Sequence, residues 1–248
     1  MSWTNYADKV RRYFEFSMNE WQQFAILVIA FAFMFSFTQW GTASFDAEEG
    51  LKNFLIAFVL VSVSVFVHHA AQRLLGVHYG YRIEHRIWWI GLFVGLLTLL
   101  LTNGRVMLFA ASALQAHFLP VHRLGKMRYG PSLRQIGMVA LIGPMAAVVF
   151  AFLLHYLWPI PTFSKLLMFN LLFAGYQMLP IPPLDGVHVF VGAKTSTGGG
   201  FTYAFTVAAF LAFFLLYFSA GLSLLWSIVL AVIVGVVGAL AFDAVVGK

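Results

Sequence analysis

The chain has 248 residues, of which 61% are hydrophobic and 10% charged, and its mean hydropathy is +0.87. Soluble domains carry about 25% charged residues, and a core of ordinary size cannot hide this much apolar surface, so a multi-pass integral membrane protein is implied. The net charge of +6 is scattered between apolar runs, which reports topology rather than nucleic acid as a partner; with no cysteine, disulfides and thiolate metal sites are excluded.

A spanning helix needs about 20 apolar residues. Residues 1–20 read as a charged cytoplasmic segment (Asp8, Lys9, Arg11, Arg12, Glu15, Glu20), too long and too mixed in sign for a cleaved signal. Trp21–Trp40 is then predicted as an uncleaved first span, and Leu51–Leu75 as a second that carries His68, His69 and Gln72 in its last turns. Arg86–Thr102 is a third, and Val106–Leu119 a shorter fourth, tilted or partly spanning. Ile136–Trp158 is a fifth, and Phe163–Leu179 a sixth that must end at Pro180, Pro182 and Pro183. Phe201–Phe218 and Leu222–Phe242 form a C-terminal pair spanning 201–242. The expected fold is an all-α polytopic bundle of about six to eight segments, with residues 21–248 as one transmembrane domain. Gly91, Gly95, Gly235 and Gly238 are read as places where helices pack closely.

Asp46–Leu51 and Thr195–Gly200 are expected as mobile loops, and the basic Pro120–Gln135 as a solvated loop touching lipid headgroups. If the N-terminus is inside and every segment crosses, Lys52, Arg105 and Lys165 fall outside and the other twelve of the fifteen Lys and Arg fall inside, as the positive-inside rule requires. The count is less constrained than the sidedness, because two short segments that are re-entrant together flip nothing.

Polar groups inside a bilayer are costly, so each marks a candidate site. Two clusters stand out, His68-His69-Ala70-Ala71-Gln72 and the stretch from Asn170 to Gly186, and the orientation places both on the cytoplasmic side. Asn170, Pro180, Pro183, Leu184, Asp185 and Gly186 resemble the second motif of the site-2 protease family of intramembrane zinc metalloproteases, with Gln177 where that family has Asn. Leu141-Ile142-Gly143-Pro144-Met145-Ala146-Ala147 resembles the family's Gly-Pro segment, with Ala147 in place of Asn. The resemblance covers about residues 51–190 and implies a zinc site with Asp185 as a ligand.

The first motif departs from the family, whose His-Glu-x-x-His sets two imidazoles on one helical face and supplies a general base. Here His68 keeps the first ligand position, His69 occupies that of the Glu, and Gln72 that of the second His. An amide oxygen is a weaker zinc partner than imidazole, and loss of a positioned base costs about 10²–10⁴ in rate. The resemblance therefore implies metal positions His68, Gln72 and Asp185 that hold zinc weakly or not at all. It also implies a cleft at Asn170, Gln177, Pro180, Pro183 and Gly186. His188 is a weak replacement ligand, while His78, His117, His122 and His155 are read as interfacial or hydrogen-bonded, and Glu84 as paired in a loop.

The leading expectation is a catalytically impaired pseudoprotease that binds a transmembrane helix or serves a larger membrane complex. The alternatives are an active zinc-dependent endopeptidase with unusual ligands, and a proton or metal-ion transport subunit using His68, His69, Asp185 and His188. No inverted repeat supports the last of these.

Overall fold

The computed structural model describes residues 3–41, 45–119, 131–194, 207–209 and 223–246. A short helix, α1 (Trp3–Tyr13), leads into a capping box at Ser17: the Glu20 N–H donates to Ser17 Oγ at 3.2 Å, and the Ser17 N–H donates to Glu20 Oε2 at 2.8 Å. Two orphan amides are satisfied together there, and α2 (Met18–Ser36) starts three residues before the expected span.

The stretch Asp46–Leu51, expected as a mobile loop, is instead the start of α3 (Ala47–Tyr79). The Asp46 carboxylate caps it by accepting from the N–H groups of Glu48 and Glu49, and both Glu side chains sit in the first turn, where the helix dipole favours them. The 33 residues of α3 span about 50 Å at 1.5 Å per residue, well beyond a hydrocarbon core. Gly80 ends the helix in the left-handed region at φ 86°, its N–H donating back to Gly76 and Val77.

The expectation of an all-α fold is corrected in the next stretch. Tyr81–Ile87 is a strand, β1, and Ser112–Phe118, expected as a helical span, is a second strand, β2, paired antiparallel with it from Tyr81↔Phe118 to Ile87↔Ser112. Between them α4 (Trp89–Leu101) is only 13 residues, about 20 Å, and the chain comes back as extended backbone. A methyl group at Gly91 would strike the carbonyl of Ala110, and one at Gly95 would lie 2.6 Å from that of Leu108. These glycines therefore admit the returning backbone of residues 108–110 rather than a neighbouring helix. The whole excursion from Trp88 to Ala111 leaves and rejoins the sheet at the same place, with the Trp88 N–H bonded to the Ala111 carbonyl at 2.8 Å.

The remaining helices are α5 (Leu133–Leu157), α6 (Pro161–Gln177, with Pro in its first turn), α7 (Asp185–Lys194) and α8 (Leu224–Val246). Of the expected 201–242 pair, α8 is described, while most of Phe201–Phe218, Thr195–Gly200 and His122 lie outside the described residues. Among the described residues three helices, α2, α3 and α5, are long and apolar enough to cross a membrane, against the six to eight segments expected. Their outward faces carry exposed apolar side chains such as Ile29, Leu55, Val59 and Leu153, the surface a lipid phase demands. By length and composition the chain is a membrane protein.

The long helix α3 is the hub, packed on α2, α5, α6 and β1. Its core with α2 and α6 is an aromatic cluster in which Phe31, Phe109, Phe169 and Phe173 meet edge to face or stacked, with Phe109 and Phe169 centroids 5.0 Å apart. His68 lies at one end of that cluster, its ring 5.0 Å from Phe173.

Candidate functional site

Ser64, His68 and Gln72 stand one turn apart on α3, so they form a single buried polar stripe along one face. Each finds a partner on a different element. Ser64 Oγ accepts from Asn170 Nδ2 at 2.8 Å, tying α3 to α6, while Asn170 Nδ2 also donates to the Leu166 carbonyl. His68 Nε2 lies 2.9 Å from Asp185 Oδ2 at the start of α7, and both side chains are fully buried. The carboxylate is the acceptor of this pair, so His68 Nε2–H donates and its Nδ1 is left without a partner.

Gln72 is the junction of the site. Its Nε2 donates to Asp185 Oδ2 at 2.8 Å and to the Ala140 carbonyl at 3.0 Å. That carbonyl is free because Pro144, four residues on in α5, has no N–H to fill the helical bond. Gly143 makes room alongside: a Cβ there would lie 2.7 Å from the Gln72 side chain. With both amide protons committed, Gln72 Oε1 can only accept, and His85 Nε2 donates to it at 2.7 Å. Burial, then the neighbouring His68 and Arg73, hold the His85 imidazole well below its usual range.

His69 faces another way round the helix. Its ring stacks on His85 with centroids 3.7 Å apart, and its Nε2 lies 3.0 Å from Ser112 Oγ on β2. Gln177, at the end of α6, holds the same strand: with its amide oriented to satisfy both groups it donates to the Ser112 carbonyl at 3.1 Å and accepts from the Ser112 N–H at 3.3 Å. The pairing Trp88–Ala111 fixes the parity of the ladder, so Ser112, Leu114 and Ala116 point their backbone groups to the outer edge of β2. Beyond the Gln177 clamp, the outward groups of Leu114 and Ala116 bond to none of the described residues.

The proline-rich break seats Asp185. Pro180 is exposed and Pro183 half-buried, and Gly186 lies so close to the carbonyl oxygens of Met178 and Leu179 that a side chain there would collide with the turn. The Ala147 side chain is fully buried in α5. His188 is half-buried on α7 and makes no polar contact with His68, Gln72 or Asp185. His155 pairs with Ser164, the His78 ring meets Tyr6, and His117 is exposed on β2. Glu84 is paired with Arg82 at 3.3 Å, in a strand rather than the expected loop.

Three participants escape a reading by motif. His85 and Ser112 reach the site from the sheet, and the signal for β1 was the strict alternation of Tyr81, Ile83, His85 and Ile87 with Arg82, Glu84 and Arg86. The third is Glu20, buried against Arg73, which also reaches the Glu15 carbonyl and lies 3.9 Å above the Phe16 ring. A lone arginine in an apolar helix demands such a counter-ion, and that demand was legible.

Among the described residues the donor set does not make up a zinc site. Catalytic zinc takes three protein ligands and structural zinc four, and among the described residues no three His, Cys, Asp or Glu side chains converge on one point. Asp185 Oδ2 is spent on His68 and Gln72, and the Gln72 amide turns its protons, not its oxygen, toward that carboxylate.

A protein of Methanocaldococcus jannaschii named "Putative zinc metalloprotease" is similar to this chain, 29% identical over 184 residues that cover 71% of this chain and 85% of the relative. No family model and no solved structure matches the chain.

Proposed function

We propose that the chain is a membrane protein with a site-2-protease-like core whose polar centre is closed by hydrogen bonds instead of zinc, and that it binds a segment of another membrane protein without cleaving it. One observation carries this reading: the Gln72 amide is bonded at once to Ala140, Asp185 and His85, in the position from which a second imidazole would have to meet His68. His69, where the resemblance puts a general base, is tied to Ser112. The part of the β2 outer edge beyond the Gln177 clamp, whose Leu114 and Ala116 groups bond to none of the described residues, supports binding, since an extended segment can add there as a strand.

The twelve-to-three split of basic residues supports a cytoplasmic N-terminus and site. The excursion from Trp88 to Ala111, which returns to its starting point, supports treating α4 and its return segment as re-entrant, so that sidedness is kept.

The second reading, an active zinc endopeptidase, is favoured by the name of the Methanocaldococcus jannaschii protein. Metal content of the purified protein, beside a His68→Ala, Asp185→Ala double variant, separates the two. Far less than one zinc per wild-type chain is expected. One zinc per chain that is lost in the double variant, together with chelator-sensitive cleavage of a membrane substrate, would overturn the proposal.

A further inference from the structure

A groove opens between the start of α2 and the end of β1, on the outer side of the candidate site. Asn19, Gln22, Gln23 and Ile26 form one wall and Arg86, Ile87 and Trp89 the other, around about 470 Å³. That volume is in the range of small-ligand sites, about 300–1,000 Å³. The polar wall is held in place: Gln23 Nε2 donates to Asn19 Oδ1 at 3.1 Å, and Gln23 Oε1 accepts from the Ile87 N–H at 2.9 Å.

The charge in this groove is unbalanced. On the outward face of β1, Arg82 is paired with Glu84, whereas Arg86 makes no ion pair with any described residue. Among the described residues no carboxylate lines the groove, and the nearest one on α2, Glu20, is committed to Arg73. The Gln22 side chain is exposed and makes no hydrogen bond with a described residue. Beside these polar groups Ile26 and Trp89 are 41% and 60% exposed, and Trp21 is exposed close by on α2. Tryptophan collects at the level where headgroups meet acyl chains.

We propose that this groove binds the headgroup of an anionic phospholipid. The Arg86 guanidinium, whose fork of N–H donors matches phosphate oxygens, takes the phosphate. Amides of Gln22 and Asn19 take the remaining polar groups, and the first acyl carbons lie along Ile26 and Trp89. A zwitterionic lipid offers the same phosphate with its charge cancelled, so the unneutralised Arg86 discriminates in favour of net-negative lipids.

The test reconstitutes the full chain in nanodiscs of phosphatidylcholine with or without phosphatidylglycerol. It reads thermal unfolding and the number of lipids retained in native mass spectrometry. Phosphatidylglycerol is expected to raise the unfolding temperature and to be retained at one molecule per chain. Arg86→Gln is expected to weaken retention by about five-fold, the worth of one interfacial cation. Gln22→Glu, an exposed change that folding tolerates, is expected to repel the lipid to a similar degree. Arg11→Gln, which removes an exposed cation outside the groove, is expected to leave retention unchanged. Equal effects of the two lipids, or loss in Arg11→Gln equal to that in Arg86→Gln, would overturn the proposal. Inorganic phosphate that reproduces the stabilisation in lipid-free detergent would also overturn it, in favour of a free-anion site.

Discussion

Pro144 and Gln72 are joined through one carbonyl: the missing N–H of the proline leaves the Ala140 oxygen open, and the Gln72 amide donates to it at 3.0 Å. A helix defect on α5 thereby becomes the anchor for a side chain on α3, and that side chain in turn orients Asp185 on α7 and His85 on β1. Four elements are locked by one amide.

Removing that amide should be costly. Gln72→Ala leaves Asp185, Ala140 and His85 with buried groups unsatisfied, and each such group costs about 1–3 kcal/mol. Partial rescue by water and by the second partner of Asp185 puts the expected loss at about 2–4 kcal/mol. Thermal unfolding in detergent should shift by about 5–15 °C for a chain of this length. A shift within the noise of the assay would mean that the network is not what holds these helices together.

The seat for Gln72 can be tested from α5. Gly143→Ala puts a methyl group against the Gln72 side chain and should cost about 1–3 kcal/mol, the range for overpacking a tight site. Pro144→Ala restores a helical N–H that shares the Ala140 oxygen, with its two lone pairs, with the Gln72 amide and adds no bulk at the seat, so it should cost less than Gly143→Ala when the two are compared by chemical denaturation. The reverse order would contradict the geometry of the seat.

Glu20 and Arg73 form a buried pair, with side chains 7% and 1% exposed. Glu20→Ala or Arg73→Ala alone strands a charge and should destabilise by about 3–5 kcal/mol. The double change Glu20→Gln, Arg73→Met should recover a large part of that loss. Purely additive losses in a double-mutant cycle built from Glu20→Ala, Arg73→Ala and the double alanine variant would show that the two side chains do not act as a pair.

Gln72→His sets a second imidazole one turn from His68, on the same face and beside Asp185, and so supplies a third ligand that no described residue of the wild-type chain provides there. Cobalt(II) titration of this variant should give the intense visible absorption of a tetrahedral site, absent from the wild type under the same conditions. Equal spectra for the two proteins would mean that Gln72 is not the obstacle to metal binding.

Much of the helical skeleton was legible in the chain because its signals are local. Runs of apolar residues placed α2, α3, α5 and α6 to within a few residues, and the prolines from Pro180 fixed where α6 ends. The Gly-Pro segment and Asp185 were likewise recognisable as positions of interest. Where the signals were misread they were still present: Asp46 is a capping residue, and residues 81–87 alternate with a period of two.

The sequence by itself thus determined that this is a membrane-type helical chain with polar residues at two distant stretches. Only the tertiary structure decided that Val106–Leu119 runs as return backbone and strand. Hydropathy reports that a segment is buried in apolar surroundings, while strand pairing depends on a partner many residues away. Only the fold, likewise, could show that Gln72 spends both amide protons and its oxygen on Ala140, Asp185 and His85. A side chain's chemistry follows from its type, but which of its groups remain available is decided by what the packed helices bring within 3 Å of it.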